Sequence, residues 1–353
     1  MQLEALFDEA ISRRASDLLL SPGSPPALRI EGRLQFQGAA PVSVDAARQM
    51  VESLLGVERL RRFEVEKSAD FAHEYRGRRF RCSAFRTDGH HALAFRLLPE
   101  SIPTVEALGL PPILSQLMQR PEGLIVFTGA TGQGKTTTQA ALIDHLNRTE
   151  SRFIVTLEDP IEYRHVGHTS IVGQREVGRD IDDFGSALRH IVRQRPDVVV
   201  VGELRDDESI RSTLTLAETG HLVLSTLHTG DAVQAVARLV ESHSPTQQQM
   251  VRGQLANVLL AIVNQRLVHD VNGRLVMAAE VLVNTPATAH LIREGHLEQL
   301  YGTMETDQYA GSQTLNRALE RLMQSGRISE AEAQRYAINR ESRPMLTRQK
   351  RGT

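Results

Sequence analysis

The stretch Leu124-Ile-Val-Phe-Thr-Gly-Ala-Thr-Gly-Gln-Gly-Lys-Thr-Thr-Thr138 decides the fold. Leu124 to Phe127 are consecutive apolar residues, the pattern of a short buried strand. A glycine-rich turn follows, then a helical pattern through Asn147. Within it Gly129, Gly134, Lys135 and Thr136 satisfy G-x-x-x-x-G-K-T. Glycines let backbone N–H groups turn inward onto phosphate oxygens, and the helix that starts there adds the positive end of its dipole. Lys135 can reach β- and γ-phosphates, and the Thr136 hydroxyl can bind Mg²⁺. A plain strand–turn–helix corner, the bland alternative, needs none of this spacing.

Moving outward toward the C-terminus, strands and helices alternate. Phe153–Leu157 reads as a strand that ends in Glu158-Asp159-Pro160-Ile161-Glu162. Residues 182–195 read as a helix stopped by Pro196. Val198–Val201 is a continuous β-branched run, as in a strand buried on both faces, and it ends at Gly202-Glu203. Arg211–Ala217 is helical, and Leu222–Ser225 is a strand that leads into Thr226-Leu227-His228-Thr229. This order predicts an α/β domain with a mostly parallel sheet. From residue 246 the helical period dominates, with a long amphipathic helix expected over Gln247–Val268. Leu275–Leu282 reads as a strand, and Pro286–Gly295, Ser312–Gly326 and Ser329–Ala337 as helices. The basic tail from Asn339 reads as disordered.

Toward the N-terminus the pattern changes. Residues 3–15 have helical spacing, two short strands follow around a Pro/Gly turn, and a hairpin turn is expected at Glu31-Gly32. Residues 43–62 return to helical period, and Ala69–Tyr75, Arg78–Phe85 and His91–Leu97 read as strands. Residues 1–98 are therefore expected to form a small mixed α/β domain. Residues 99–112, with Pro99, Pro103, Pro111 and Pro112, read as a semi-rigid linker, and residues 113–353 as the second domain. In Arg76–Arg86, Phe80, Cys82 and Ala84 alternate with Arg79, Arg81 and Ser83, which predicts one buried and one cationic face. A solvated strand face explains this, and so does an arginine that reaches a phosphate. Arg96, on the next strand, is a second candidate.

Nucleotide hydrolysis needs a carboxylate for Mg²⁺, a group that orients water, and positive charge for the transition state. In parallel α/β sheets these sit at the C-terminal ends of strands. Glu158, Asp159 and Glu162 follow one such strand, Glu203 a second and His228 a third. The valine run ends without an Asp, so Glu203 serves either as the Mg²⁺-water ligand or as the base, and Glu158 takes the other role. Taken singly, Glu203 with Arg205 is also a plausible surface pair, and His228 a plausible core histidine. His165-x-x-His168 and His90-His91 lack further ligands at metal spacing.

Composition narrows the alternatives. A net charge of −2, no Trp and 4% aromatic residues argue against a nucleic-acid translocase or a base-stacking surface. One cysteine, Cys82, excludes an intramolecular disulfide and a multi-Cys zinc site. The first residues are acidic, unlike a signal peptide, and no apolar run approaches the ~18 residues of a membrane span. A cytosolic setting is expected, and any membrane association is expected to be peripheral.

With these residues in view, the chain resembles the secretion and type IV pilus motor ATPases, most closely the pilus retraction ATPases of PilT and PilU type. The resemblance is carried by ASDLLLSPGSPPALRIEGRL (15–34), GRRFRCSAFR (77–86), GATGQGKTTT (129–138), TLEDPIEY (156–163), QREVGRDIDDFGSALRHIVRQRPDVVVVGELRD (174–206), ETGHLVLSTLHT (218–229) and ATAHLIREG (287–295). It implies a PAS-like N-terminal domain and a RecA-like P-loop ATPase domain with a helical C-terminal region. Gly129, Ala130, Thr131, Gly132, Gln133, Gly134, Lys135, Thr136 and Thr137 would hold ATP, with Mg²⁺ on Thr136. It makes Glu158 and Glu162 part of an acidic box, Glu203 the catalytic glutamate, and His221 and His228 part of a histidine box. Arg81 and Arg96 would reach a nucleotide on their own or a neighbouring subunit. The resemblance also implies a hexameric ring on the cytoplasmic side of an inner-membrane pilus platform protein, with a paralogous pilus ATPase as a further partner. The expected function is a motor for pilus retraction and twitching motility; the alternatives are the ATPase of a related secretion system or a nucleotide-gated scaffold for another pilus motor.

Overall fold

The computed structural model describes residues 2–30, 32–38, 40–307 and 310–338. The basic tail and Glu31 of the expected hairpin turn lie outside the described residues. The chain divides into two units, Met1–Ile102 with Asp159–Arg164, and Pro103–Glu158 with His165–Thr353. The excursion Asp159–Arg164 leaves the second unit directly after Glu158 and returns at His165.

The first unit contains α1 (Leu3–Ser12), β1 (Asp17–Leu20), β2 (Ala27–Ile30), β3 (Arg33–Phe36), α2 (Val44–Glu66), β4 (Ser68–Tyr75), β5 (Arg78–Thr87) and β6 (His90–Leu97). The strands form one antiparallel sheet of order β3-β2-β1-β6-β5-β4. Phe7 and Ala10 of α1 and Ala47, Val51, Leu55 and Phe63 of α2 pack with the sheet's Leu18, Phe80, Cys82 and Phe95 into one core. This is a PAS-like arrangement. The alternation along β5 is as expected at Phe80, Cys82 and Ala84, but Arg79 is buried rather than solvated. On that face Arg81, Ser83 and Phe85 keep partial exposure and Thr87 is exposed.

The second unit contains α3 (Val105–Leu108), α4 (Pro112–Leu117), β7 (Gly123–Thr128), α5 (Lys135–Thr149), β8 (Phe153–Glu158), β9 (Ile171–Glu176), α6 (Phe184–Ile191), β10 (Val198–Val201), α7 (Asp207–Glu218), β11 (Leu222–Thr226), α8 (Ala232–Glu241), α9 (Pro245–Val258), β12 (Leu259–His269), β13 (Leu275–Val283), α10 (Pro286–Glu294), α11 (Leu300–Thr306), α12 (Leu315–Gln324) and α13 (Glu330–Tyr336). Its sheet has the order β13-β12-β7-β11-β10-β8-β9, parallel except for β13. Every residue of β7, β10 and β11 is buried, as strands covered by helices on both faces require. This is a RecA-like domain with a helical C-terminal region, the α/β class expected. No helix among the described residues is long and apolar enough to cross a membrane.

One expected element is corrected. Gln247–Val268 is not a single helix. Helix α9 stops at Val258, and Leu259–His269 forms β12, parallel to β7 and antiparallel to β13. A run such as Leu259-Leu-Ala-Ile-Val263 fits a helical period and a buried strand equally well. Here long-range pairing decides: β12 fills the sheet position beside β7, and Ala261, Ile262 and Val263 are fully buried.

Candidate active site

Strand β7 delivers the phosphate loop at its C-terminal end. Gly129 sits at φ 137°, and a Cβ there would lie 2.7 Å from the Gln265 carbonyl oxygen, so only glycine fits beside β12. Gly134 caps α5 at φ 80°, with no side chain on the first-turn N–H groups. Gln133 reaches the other way, its Oε1 accepting from the Leu267 N–H at 2.6 Å. The loop is thus stitched to β12 while Ala130, Thr131 and Gly132 stay exposed at its crown. Lys135 is buried, and its Nζ donates to the carbonyls of Gly129 at 2.7 Å and Ala130 at 3.1 Å. A glycine-lined turn, uncapped helix amides and an inward ammonium fit a nucleotide's phosphates.

The neighbouring strand tips complete the site. Gly202 N–H donates to Leu157 O at 2.9 Å, and Gly202 O accepts from Thr226 Oγ1 at 2.7 Å. These bonds fix Glu203 at the end of β10. After β11, Leu227 N–H donates to Phe127 O and Thr229 N–H to Thr128 Oγ1, both at 2.9 Å, so His228 is held on each side to the end of β7. His228 Nδ1 lies 3.4 Å from Lys135 Nζ, and its Nε2 lies 3.4 Å from Glu203 Oε1. Arg205 Nε is 2.9 Å from the other oxygen of Glu203. Lys135, His228, Glu203 and Arg205 therefore form one polar chain across three strand ends. Partial burial first, and the Lys135 charge second, hold the His228 imidazole below its ordinary pKa, while Glu203 opposes them. The neutral ring accepts from Lys135 at Nδ1 and donates from Nε2, a tautomer assigned from these partners.

Glu158, at the tip of β8, accepts from Thr156 Oγ1 at 2.6 Å and from Gln174 Nε2 at 3.0 Å. The Oε1 of Gln174 takes the His165 N–H at 2.9 Å, so Gln174 ties together the two ends of the Asp159–Arg164 excursion. Glu162 belongs to the first unit, where its Oε1 lies 3.7 Å from Arg81 Nη1. Arg81 and Arg96 stand directly opposite each other on β5 and β6, an unfavourable like-charge pairing. Glu162 offsets Arg81, and Asp17, 3.0 Å from Arg96 Nε, offsets Arg96.

His221 is not at this site. It precedes β11, at the opposite end of the sheet from His228, and is buried with Nδ1 3.0 Å from Leu216 O. Among the described residues no group of three or more His, Cys, Asp or Glu could by itself hold a metal ion. Gln133, expected only as one of the phosphate-loop residues, also ties that loop to β12. No local signal marks Gln174 or Gln265, whose roles come from contacts across more than one element.

A phosphate loop on the third strand of a RecA-like sheet, with a lysine–histidine–glutamate chain at the strand tips, defines a P-loop ATPase. Residues 3–351 match the family described as "Type II/IV secretion system protein". The chain is 38% identical over 338 residues to the type IV pilus retractation ATPase PilT of Pseudomonas aeruginosa PAO1, covering 96% of this chain and 98% of that one. It is 40% identical over 329 residues to YggR of Escherichia coli K12, covering 93% and 100%. A crystal structure of the pilus retraction motor PilT with bound ADP superposes with a TM-score of 0.88 at 39% identity, covering 97% and 98%. The chain belongs to the type II/IV secretion system protein family.

Proposed function

We propose that this chain is an ATP-hydrolysing motor that drives type IV pilus retraction from the cytoplasmic side of the inner membrane. The observation that carries the reading is the unbroken chain from Lys135 through His228 to Glu203, with Glu158 on the next strand tip. Gly129–Thr137 cradle the triphosphate, and Lys135 exchanges its loop carbonyls for phosphate oxygens. Glu203 orients or deprotonates the attacking water, and neutral His228 holds Glu203 and Lys135 in register. The Thr136 hydroxyl would hold Mg²⁺, with Glu158 as the second candidate carboxylate for it, and the ion would neutralise charge on the phosphates. In a homo-oligomeric ring, taken here as a hexamer, Arg81 and Arg96 bring positive charge to a neighbouring subunit's nucleotide. Such an arginine supplied in trans is worth about 10³–10⁵ in rate in other nucleotide hydrolases. The inner-membrane pilus platform protein is the proposed load, and a paralogous pilus ATPase a proposed co-motor.

Deletion of the gene tests the assignment. Excess surface pili without twitching is the expected phenotype; unchanged piliation and movement would count against it. The family also spans secretion ATPases, so lost secretion with normal pili would move the motor to that machine.

A further inference from the structure

Glu280 lies on β13 directly opposite Asn264 of β12, and both are buried, at 0% and 1% exposure. Glu280 Oε1 accepts the Ala232 N–H at 2.7 Å, and Asn264 Nδ2 donates to Gly230 O at 3.0 Å. These bonds grip the segment that begins with His228, whose other anchor is Thr229 on Thr128. Each of the two side chains also has one buried oxygen with no hydrogen-bond partner inside normal geometry, Oε2 of Glu280 and Oδ1 of Asn264; the Leu315 amide lies near the Glu280 carboxyl as well. Directly opposed residues on one face stand about 5 Å apart at Cβ. Two orphaned acceptors so placed are costly unless one carries a proton.

We propose that Glu280 and Asn264 form a buried latch that positions His228 against Lys135 and Glu203, and that the latch is closed when Glu280 carries its proton. The Oε2–H of Glu280 then donates to Asn264 Oδ1, which satisfies both oxygens and aims the Asn264 amide at Gly230. Loss of that proton to solvent leaves two facing acceptors and a carboxylate near Asp231. The Gly230 anchor then loosens, and His228 drifts from its partners. The charged and titratable groups around Glu280 are Asp231 before α8, Arg266 on β12 and Tyr301 on α11. Burial is the main influence on the carboxyl. The Ala232 amide opposes it, Asp231 adds to it, and the Leu315 amide and Arg266 oppose it; the carboxyl is pushed up to about 7. Glu280 is a positioning residue, acting on the reaction through His228.

The inference rests on the ATPase reading, so its test has one arm that needs no turnover. Urea unfolding of the wild type and Glu280→Gln between pH 5 and 8 reads the ionisation. A folded carboxyl raised from 4.5 toward 7 loses stability as pH rises through that window. Glu280→Gln, which mimics the protonated acid at every pH, is expected to lack that slope. In the second arm, kcat of the wild type falls several-fold as pH rises past 7. Glu280→Gln keeps kcat within about twofold at pH 6.5 and loses the fall, with KM for ATP unchanged. Equal pH dependence of the two proteins in both arms, or a wild type with no alkaline fall, overturns the latch. A wild type that hydrolyses nothing at any pH overturns the ATPase reading instead, and the unfolding arm still judges Glu280.

Discussion

Lys135 has acceptors of its own within the loop. Its ammonium is buried and donates to two carbonyls of its own loop, so phosphate oxygens must replace acceptors already in place. His228 is the third group near that ammonium and must be neutral to accept from it. Burial and Lys135 lower its pKa below 6.5, so the neutral ring dominates near pH 7. As pH falls below 6.5, the unfolded chain takes up this proton more readily than the folded one, and the ring's contribution to stability is lost. Turnover is expected to fall on the acid side, and His228→Asn, an acceptor that does not titrate, should flatten that limb in a pH–kcat profile. An unchanged acid limb would show that another group titrates there. At Gly129, substitution by alanine drives a Cβ into the Gln265 carbonyl. Thermal scans should show Gly129→Ala folded but with little stabilisation by ADP.

At the scale of elements, legibility followed locality. The phosphate loop, the valine run and the polar tips at Glu158, Glu203 and His228 are contiguous signals and were readable directly. Strand β12 was not, because Leu259–Val263 carries no period that separates helix from strand, and its partner β7 lies more than a hundred residues away in sequence. The excursion Asp159–Arg164 and the Gln174 tie were equally hidden, since both depend on which unit a short segment joins. His221 was drawn toward the site by its resemblance to a motif, yet its bond to Leu216 O belongs to the far end of β11. The strand assignment for β12 makes its own prediction. Ile262 is fully buried against the second unit's core, so Ile262→Asp should cost on the order of 3–5 kcal/mol in urea unfolding. A loss below about 1 kcal/mol would be compatible with an exposed helix position and not with a central strand.

At the scale of the whole molecule, the paired arginines make the test. Arg81 and Arg96 face each other at a cost that Glu162 and Asp17 offset, and their side chains stay 42% and 64% exposed. Exposed, like-charged and individually partnered, they suit service to a phosphate brought by another subunit. If they act in trans, mixing an Arg81→Ala/Arg96→Ala protein with a Lys135→Ala protein should restore part of the turnover that each lacks alone. No recovery at any mixing ratio would place the arginines outside catalysis between subunits. Steady-state phosphate release with saturating Mg²⁺-ATP reads Lys135 and Glu203 together. The wild type should turn over, Lys135→Ala should release no phosphate above background, and Glu203→Gln should bind ATP while hydrolysing it at least ~100-fold more slowly. Undiminished release by Lys135→Ala would contradict the site, and with it the motor.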